Sequence, residues 1–146
     1  MKSKKIYKKS GAQSSKAAEP LAAYGYVKQF NITKEFAYND FKKIASKTDF
    51  TQKEWSDILH ISERTLQRYS KENSLFSFSV SDRIIQIDKV LRRGQEVFGS
   101  YEKFLLWIHD NPNMLEGRLS LQSLASFEGI NNVLTQLGRI EQGILA

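Results

Sequence analysis

Cysteine is absent from the 146 residues. Disulfides and thiolate metal ligands are therefore excluded, and the chain is consistent with a reducing, cytoplasmic setting. Histidine occurs only at positions 60 and 109, and no metal-ligand spacing accompanies either one, so no metal site is expected. Proline is found only at positions 20 and 112. No run of 18 apolar residues is present, which argues against a membrane-crossing helix. The start is basic (Lys2, Lys4, Lys5, Lys8, Lys9) but no apolar stretch follows it, so no secretory leader is expected. Glycine-rich phosphate loops and nucleophile–histidine sets are also missing. The expectation is a protein with no catalytic residues and no cofactor.

What is present is the composition of an ordinary soluble domain, 40% hydrophobic and 26% charged, long enough for one or two small domains. Its net charge of +6 is unevenly placed. Residues 1–16 carry six lysines and no acid, whereas from Ala17 onward the charges cancel. Residues 35–93 hold eleven basic and nine acidic side chains, and residues 94–146 hold three and six. A basic arm, a mildly basic middle and an acidic end point to polyanion contact at the front; the alternative is a solvated tail.

Residues 1–20 have little to bury and read as a flexible arm. Leu21, Tyr24, Tyr26, Val27, Phe30 and Ile32 make residues 21–33 too apolar for a pure linker, so this segment is expected to dock on the body. From Lys34 the pattern is helical. Phe36, Phe41, Ile44 and Ala45 stripe a first helix. Thr51-Gln52-Lys53-Glu54 has the form of a capping box, followed by Trp55, Ile58 and Leu59 at helical spacing. After His60-Ile61, Ser62 is placed to cap a second short helix that turns Leu66 and Tyr69 inward. Lys71-Glu72-Asn73-Ser74 reads as a polar separator. A longer helix is expected from Ser79–Ser81, with Val80, Ile84, Ile87, Leu91 and Phe98 on one side. Gly99-Ser100 breaks it. Phe104, Leu105, Trp107 and Ile108 mark another helix, which Asn111-Pro112-Asn113 ends. Ser120 caps a short segment bearing Leu121 and Leu124. A last helix carries Ile130, Val133, Leu134, Leu137 and Ile140, with Gly143 placed to stop it. No segment alternates with period two, so the expected fold class is all-α.

Residues 51–69 form the most specific local pattern. Two short helices joined by a tight turn make a helix-turn-helix, with Ser56 as the small residue where the helices cross. The second helix directs Glu63, Arg64, Gln67 and Arg68 outward. Arginine reads guanine and glutamine reads adenine in the major groove, while Ser62 and the helix start suit a phosphate. With Gln52 at the start of the preceding helix, these residues are the candidate DNA-binding set. His60 occupies the turn position where glycine is usual, because the backbone there often needs positive φ. A plain helical hairpin with solvated charges is the alternative. Ser81-Asp82-Arg83 reads as a helix cap with an acidic first turn, not as chemistry.

TLQRY followed by LFSFSVSDRI resembles the Xre/MbcA/ParS antitoxin family, through Thr65-Leu66, Arg68 and Ser81-Asp82-Arg83-Ile84. Val97-Phe98-Gly99, Trp107, Pro112-Asn113 and Leu115-x-Gly117 match that family's downstream domain in order. Gly129, Val133, Leu137, Arg139-Ile140 and Gly143 match its closing pattern. The resemblance covers roughly residues 35–145. The chain departs from it at Arg118-Leu119-Ser120-Leu121-Gln122, where the family often has Pro and Asp, and at Arg68-Tyr69, where it tends to have two arginines.

The resemblance implies a type II antitoxin. Its partner would be a RES-domain toxin that attacks NAD, and it would act as a repressor on operator DNA, with a homodimer expected. It also implies three parts: an arm over 1–33, an Xre-like helix-turn-helix domain over 34–93 and a toxin-binding domain over 94–146. The last turn, with Arg139, Glu141, Gln142 and Gly143, is the candidate toxin-binding element. Two other readings stay open: a stand-alone transcriptional regulator, and an interaction module that does not bind DNA.

Overall fold

The computed structural model describes residues 36–115 and 117–144. The basic arm and the segment 21–33 lie outside the described residues. The described residues form one compact unit. Its elements are the helices α1 (Tyr38–Ala45), α2 (Gln52–Leu59), α3 (Glu63–Glu72), α4 (Phe78–Phe98) and α5 (Tyr101–His109), then the two-residue strands β1 (Asn113–Met114) and β2 (Gly117–Arg118), a 3-10 helix (Leu121–Ala125) and α6 (Phe127–Glu141).

The fold is all-α apart from the β1–β2 hairpin, in which Asn113 faces Arg118 and Met114 faces Gly117. The hairpin leaves the expected all-α class intact; two residues per strand are too few to show a period in the sequence. α1 also starts later than its apolar stripe suggests. Ala37 provides no side-chain cap. Instead the helix entry is held by an antiparallel bridge, with Tyr38 N donating to Ser74 O at 3.1 Å and Phe76 N to Phe36 O at 2.8 Å.

Serine caps do most of the remaining punctuation. Ser62, Ser100 and Ser126 each accept a backbone N–H from the first turn of α3, α5 and α6. α4 corrects the sequence reading. Its cap is Ser77, bonded to Val80 N, so the helix starts before Ser79. Ser81, expected as the cap, is buried inside the first turns of α4, where its Oγ accepts from Phe36 N at 3.2 Å. Asp82 accepts from Gln86 Nε2 at 2.8 Å on the same helix.

α4 is the spine of the unit. It buries Ile84, Ile87, Val90 and Leu91 and packs against α2, α5 and α6. One hydrophobic cluster runs from Phe41 and Trp55 through these residues to Phe104, Val133 and Leu137. Positions 93 and 94, proposed above as a domain boundary, lie within α4, and the apolar core is continuous across them. Gly94 of α4 lies directly against the Phe104 ring of α5. A Cβ there would come within 2.5 and 2.6 Å of the two Cδ atoms of Phe104. Only a residue without a side chain lets the two helices meet so closely.

Candidate functional site

α2 is fixed at both ends. The capping box at its start is complete, with Glu54 N donating to Thr51 Oγ1 at 3.1 Å and Thr51 N to Glu54 Oε2 at 2.7 Å. At its end His60 takes the left-handed conformation, φ 57° and ψ 38°, as expected for the turn. Ile61 N donates to Ser56 O at 3.1 Å, and Ser56 is 3% exposed. A larger side chain at that crossing would push the helices apart.

α3 is held from one side only. Leu66 is its single buried residue and Tyr69 is half-buried, its ring 4.8 Å from that of Phe76. Thr65 is also half-buried, and the remaining residues of the helix are exposed. Gln52, Ser62, Glu63, Arg64, Gln67 and Arg68, the residues singled out from sequence, are all exposed. Arg64, Gln67, Arg68 and Lys71 line one shallow groove together with Thr65 and the acid Glu72. Of these, Arg64, Gln67, Arg68 and Lys71 carry the cations and the glutamine. These four positions follow an i, i+3, i+4, i+7 spacing, which is one face of a helix. Among the described residues no ion pair engages Arg64, Arg68 or Lys71.

Lys71 falls in the sequence's polar separator Lys71–Ser74, yet the helix runs on through it and it extends the basic face of α3. The signal was available, since Lys71 lies at i+3 from Arg68.

Gln52 and Ser62 have positional duties. Gln52 Nε2 reaches Glu63 O at 3.4 Å, joining the starts of α2 and α3. Ser62 Oγ accepts from Thr65 N at 3.0 Å and donates to Thr65 Oγ1 at 2.8 Å. Its one proton is thereby committed, so a phosphate at this end would be met by backbone N–H groups rather than by the hydroxyl.

The second candidate set lies at the end of α6. Arg139 is half-buried, and Glu141, Gln142 and Gly143 are exposed. The end is closed rather than frayed. Gly143 adopts φ 74°, Gly143 N donates to Ile140 O at 3.0 Å, and Ile144 N donates to Arg139 O at 2.8 Å.

Glu141 is held in an ion pair across to α4. Arg93 of α4 grips it with both terminal nitrogens and also reaches Glu96 at 3.2 Å. The Arg93 hydrogen bond holds the Glu141 carboxyl below the usual carboxylate range, and Glu141 and Glu96 raise Arg93 further. Arg93 of this pair lines a shallow groove of about 610 Å³ together with Ile85, Asp88, Lys89, Arg92, Glu96 and Leu134.

Among the described residues no group of three or more metal-ligating side chains comes together, and no helix is long and apolar enough to cross a membrane. No curated protein matches the chain. Residues 34–87, the stretch that holds α1, α2, α3 and the first half of α4, match the family model described as the antitoxin Xre-like helix-turn-helix domain. That match and the geometry of α2 and α3 support a DNA-binding regulator of the antitoxin type, and over those residues the chain carries a domain similar to the Xre-like helix-turn-helix of antitoxins.

Proposed function

We propose that this protein is the antitoxin of a type II toxin–antitoxin system, which reads promoter DNA with α3 and neutralises a RES-domain toxin with its C-terminal end. The observation that carries the DNA half is the face of α3. Three cations without an ion pair among the described residues and one glutamine are presented at helical spacing, on a helix that follows the left-handed turn at His60 and is capped by Ser62. In this reading Arg64 and Gln67 contact bases, and Arg68 and Lys71 meet phosphates.

The toxin half rests on the downstream resemblance and on the exposed end of α6, where Glu141, Gln142 and Gly143 reach solvent. Arg139 lies at the same end, and arginine is a good interface anchor once desolvated. The protein is expected to act as a homodimer in the cytoplasm on a palindromic operator.

Two measurements test this reading. The purified protein should prefer a duplex of its own promoter over random duplex at moderate salt. Co-expression with the toxin encoded beside it should restore growth and cellular NAD. Promoter preference without protection would favour a stand-alone regulator. Protection without any promoter preference would favour a pure interaction module.

A further inference from the structure

The turn between α2 and α3 runs through His60 and Ile61 to the cap at Ser62. It is held from far along the chain. His60 Nε2 lies 2.5 Å from Ala125 O. Arg83 Nη1, from α4, donates to the same oxygen at 2.8 Å. A carbonyl oxygen only accepts, so Nε2 carries the proton in this contact, and both the neutral and the protonated ring can supply it. Ala125 is the last residue of the 3-10 helix, whose final carbonyls have no partner within the helix. Its oxygen is therefore open to two outside donors.

The position of that oxygen is closely determined. The 3-10 helix packs against α2 and lies flush on the first turn of α6. A Cβ on Gly129 would sit 2.7 Å from the Ser123 carbonyl carbon and 2.8 Å from its Cα. Leu121 and Leu124 anchor the 3-10 helix in the core.

From this junction we infer that His60 and Arg83 are positioning residues for DNA reading: through the Ala125 carbonyl they clamp the start of α3 to the C-terminal segment. The matched helix-turn-helix stretch ends at residue 87, so it lacks the oxygen that fastens its own turn. The C-terminal segment is then an obligatory part of the DNA-reading head. Any partner that moves the 3-10 helix also moves the turn ahead of Arg64 and Gln67.

The inference rests on the DNA reading proposed above, and its test separates the two. In the full chain, His60→Gly removes the ring while suiting the left-handed backbone, so the fold is safe in this variant. Arg83→Gln removes the second donor, and Arg83→Lys restores one. Backbone amide NMR shifts of Glu63–Tyr69 should move in His60→Gly and Arg83→Gln, with circular dichroism unchanged. Preference for the promoter over random duplex should fall about tenfold, because base contacts tolerate little displacement, and it should recover in Arg83→Lys.

If the α3 amides stay unmoved in both folded variants, the clamp is wrong whatever the DNA results. If they move but the wild-type protein shows no promoter preference, the proposed DNA function fails and the clamp stands. If they move and promoter preference is unchanged, the positioning role is overturned.

Discussion

Gly94→Ala sets two effects of opposite sign against each other. In a helix interior, alanine in place of glycine gains about 1 kcal/mol from propensity and backbone entropy. Against this stands the Phe104 ring, with both Cδ atoms within 2.6 Å of the new Cβ. Ordinary contact begins near 3.4 Å, so the ring must retreat by close to an ångström. It has little room to do so. Phe104 is fully buried, and the rings of Phe98 and Trp107 lie 6.2 and 6.0 Å from it. Overpacking of this kind costs about 1–3 kcal/mol, at the upper end where neighbours cannot yield. The steric cost should win, leaving a net loss of roughly 1–2 kcal/mol.

Urea unfolding followed by circular dichroism measures this directly. Thermal unfolding should show a drop of roughly 4 °C per kcal/mol for a unit of this size. Because α4 carries one core shared by α2, α5 and α6, the whole unit should lose stability in a single transition rather than α5 alone. The double variant Gly94→Ala/Phe104→Leu should be more stable than the two single losses predict, since the smaller side chain frees the space that the methyl needs. A Gly94→Ala protein as stable as wild type, or strictly additive losses, would falsify this account of the α4–α5 contact.

Arg64→Ala should lower promoter preference at about 1–3 kcal/mol per site in competition binding, whereas Arg68→Ala should weaken all sequences alike and flatten the salt dependence. Thr51→Ala removes one arm of the capping box and should destabilise the unit by about 1 kcal/mol in urea unfolding, with α3 otherwise unchanged by NMR. Glu141 is held low by Arg93, so its stabilising contribution is present above the ordinary carboxylate range and is lost as pH falls through its depressed value. Melting temperatures of wild type and Glu141→Gln should therefore differ at neutral pH and converge in acid, and a gap that persists in acid would show another cause. Truncation after Gly138 removes Glu141 and the closed end of α6 but keeps Ile130, Val133 and Leu137; the variant should stay folded by circular dichroism yet fail to protect cells from the toxin.

Local signals carried most of the fold. The capping box at Thr51, the cap at Ser62 and the left-handed turn at His60 all depend on residues within a few positions of one another, and each is found where the pattern puts it. The start of α4 was less legible because Ser77, Ser79 and Ser81 are all credible caps. What chooses Ser77 is tertiary. Phe76 is fully buried against Phe41 and Tyr69, which places the chain so that Ser77 leads into the helix and Ser81 turns inward to Phe36. The candidate site divides in the same way. The exposed face of α3 followed from spacing alone. The Arg93–Glu141 pair and the two donors on Ala125 join residues more than 40 positions apart, and no local pattern announces such contacts.

Net charge is the feature that most obscured a DNA role, since eleven basic and nine acidic residues over positions 35–93 hardly describe a polyanion binder. Their distribution alters that judgement. Asp40 pairs with Lys43, Asp57 with Lys53, and Asp88 with both Lys47 and Arg92. These acids are neutralised on α1, α2 and α4, away from the exposed face of α3. On α3 itself Glu63 is the first residue and Glu72 the last, and Glu72 is the one acid that shares the groove with the three cations. Arg64, Arg68 and Lys71 lie between them without an ion pair among the described residues, on the face that also carries Gln67. Phosphates respond to charges within a Debye length, roughly 8 Å at physiological salt, and so sense this face more than the sum over the domain. A weakly charged domain can therefore present a locally basic reading helix. Affinity for nonspecific DNA should be low, and more of the discrimination should fall on base contacts by Arg64 and Gln67.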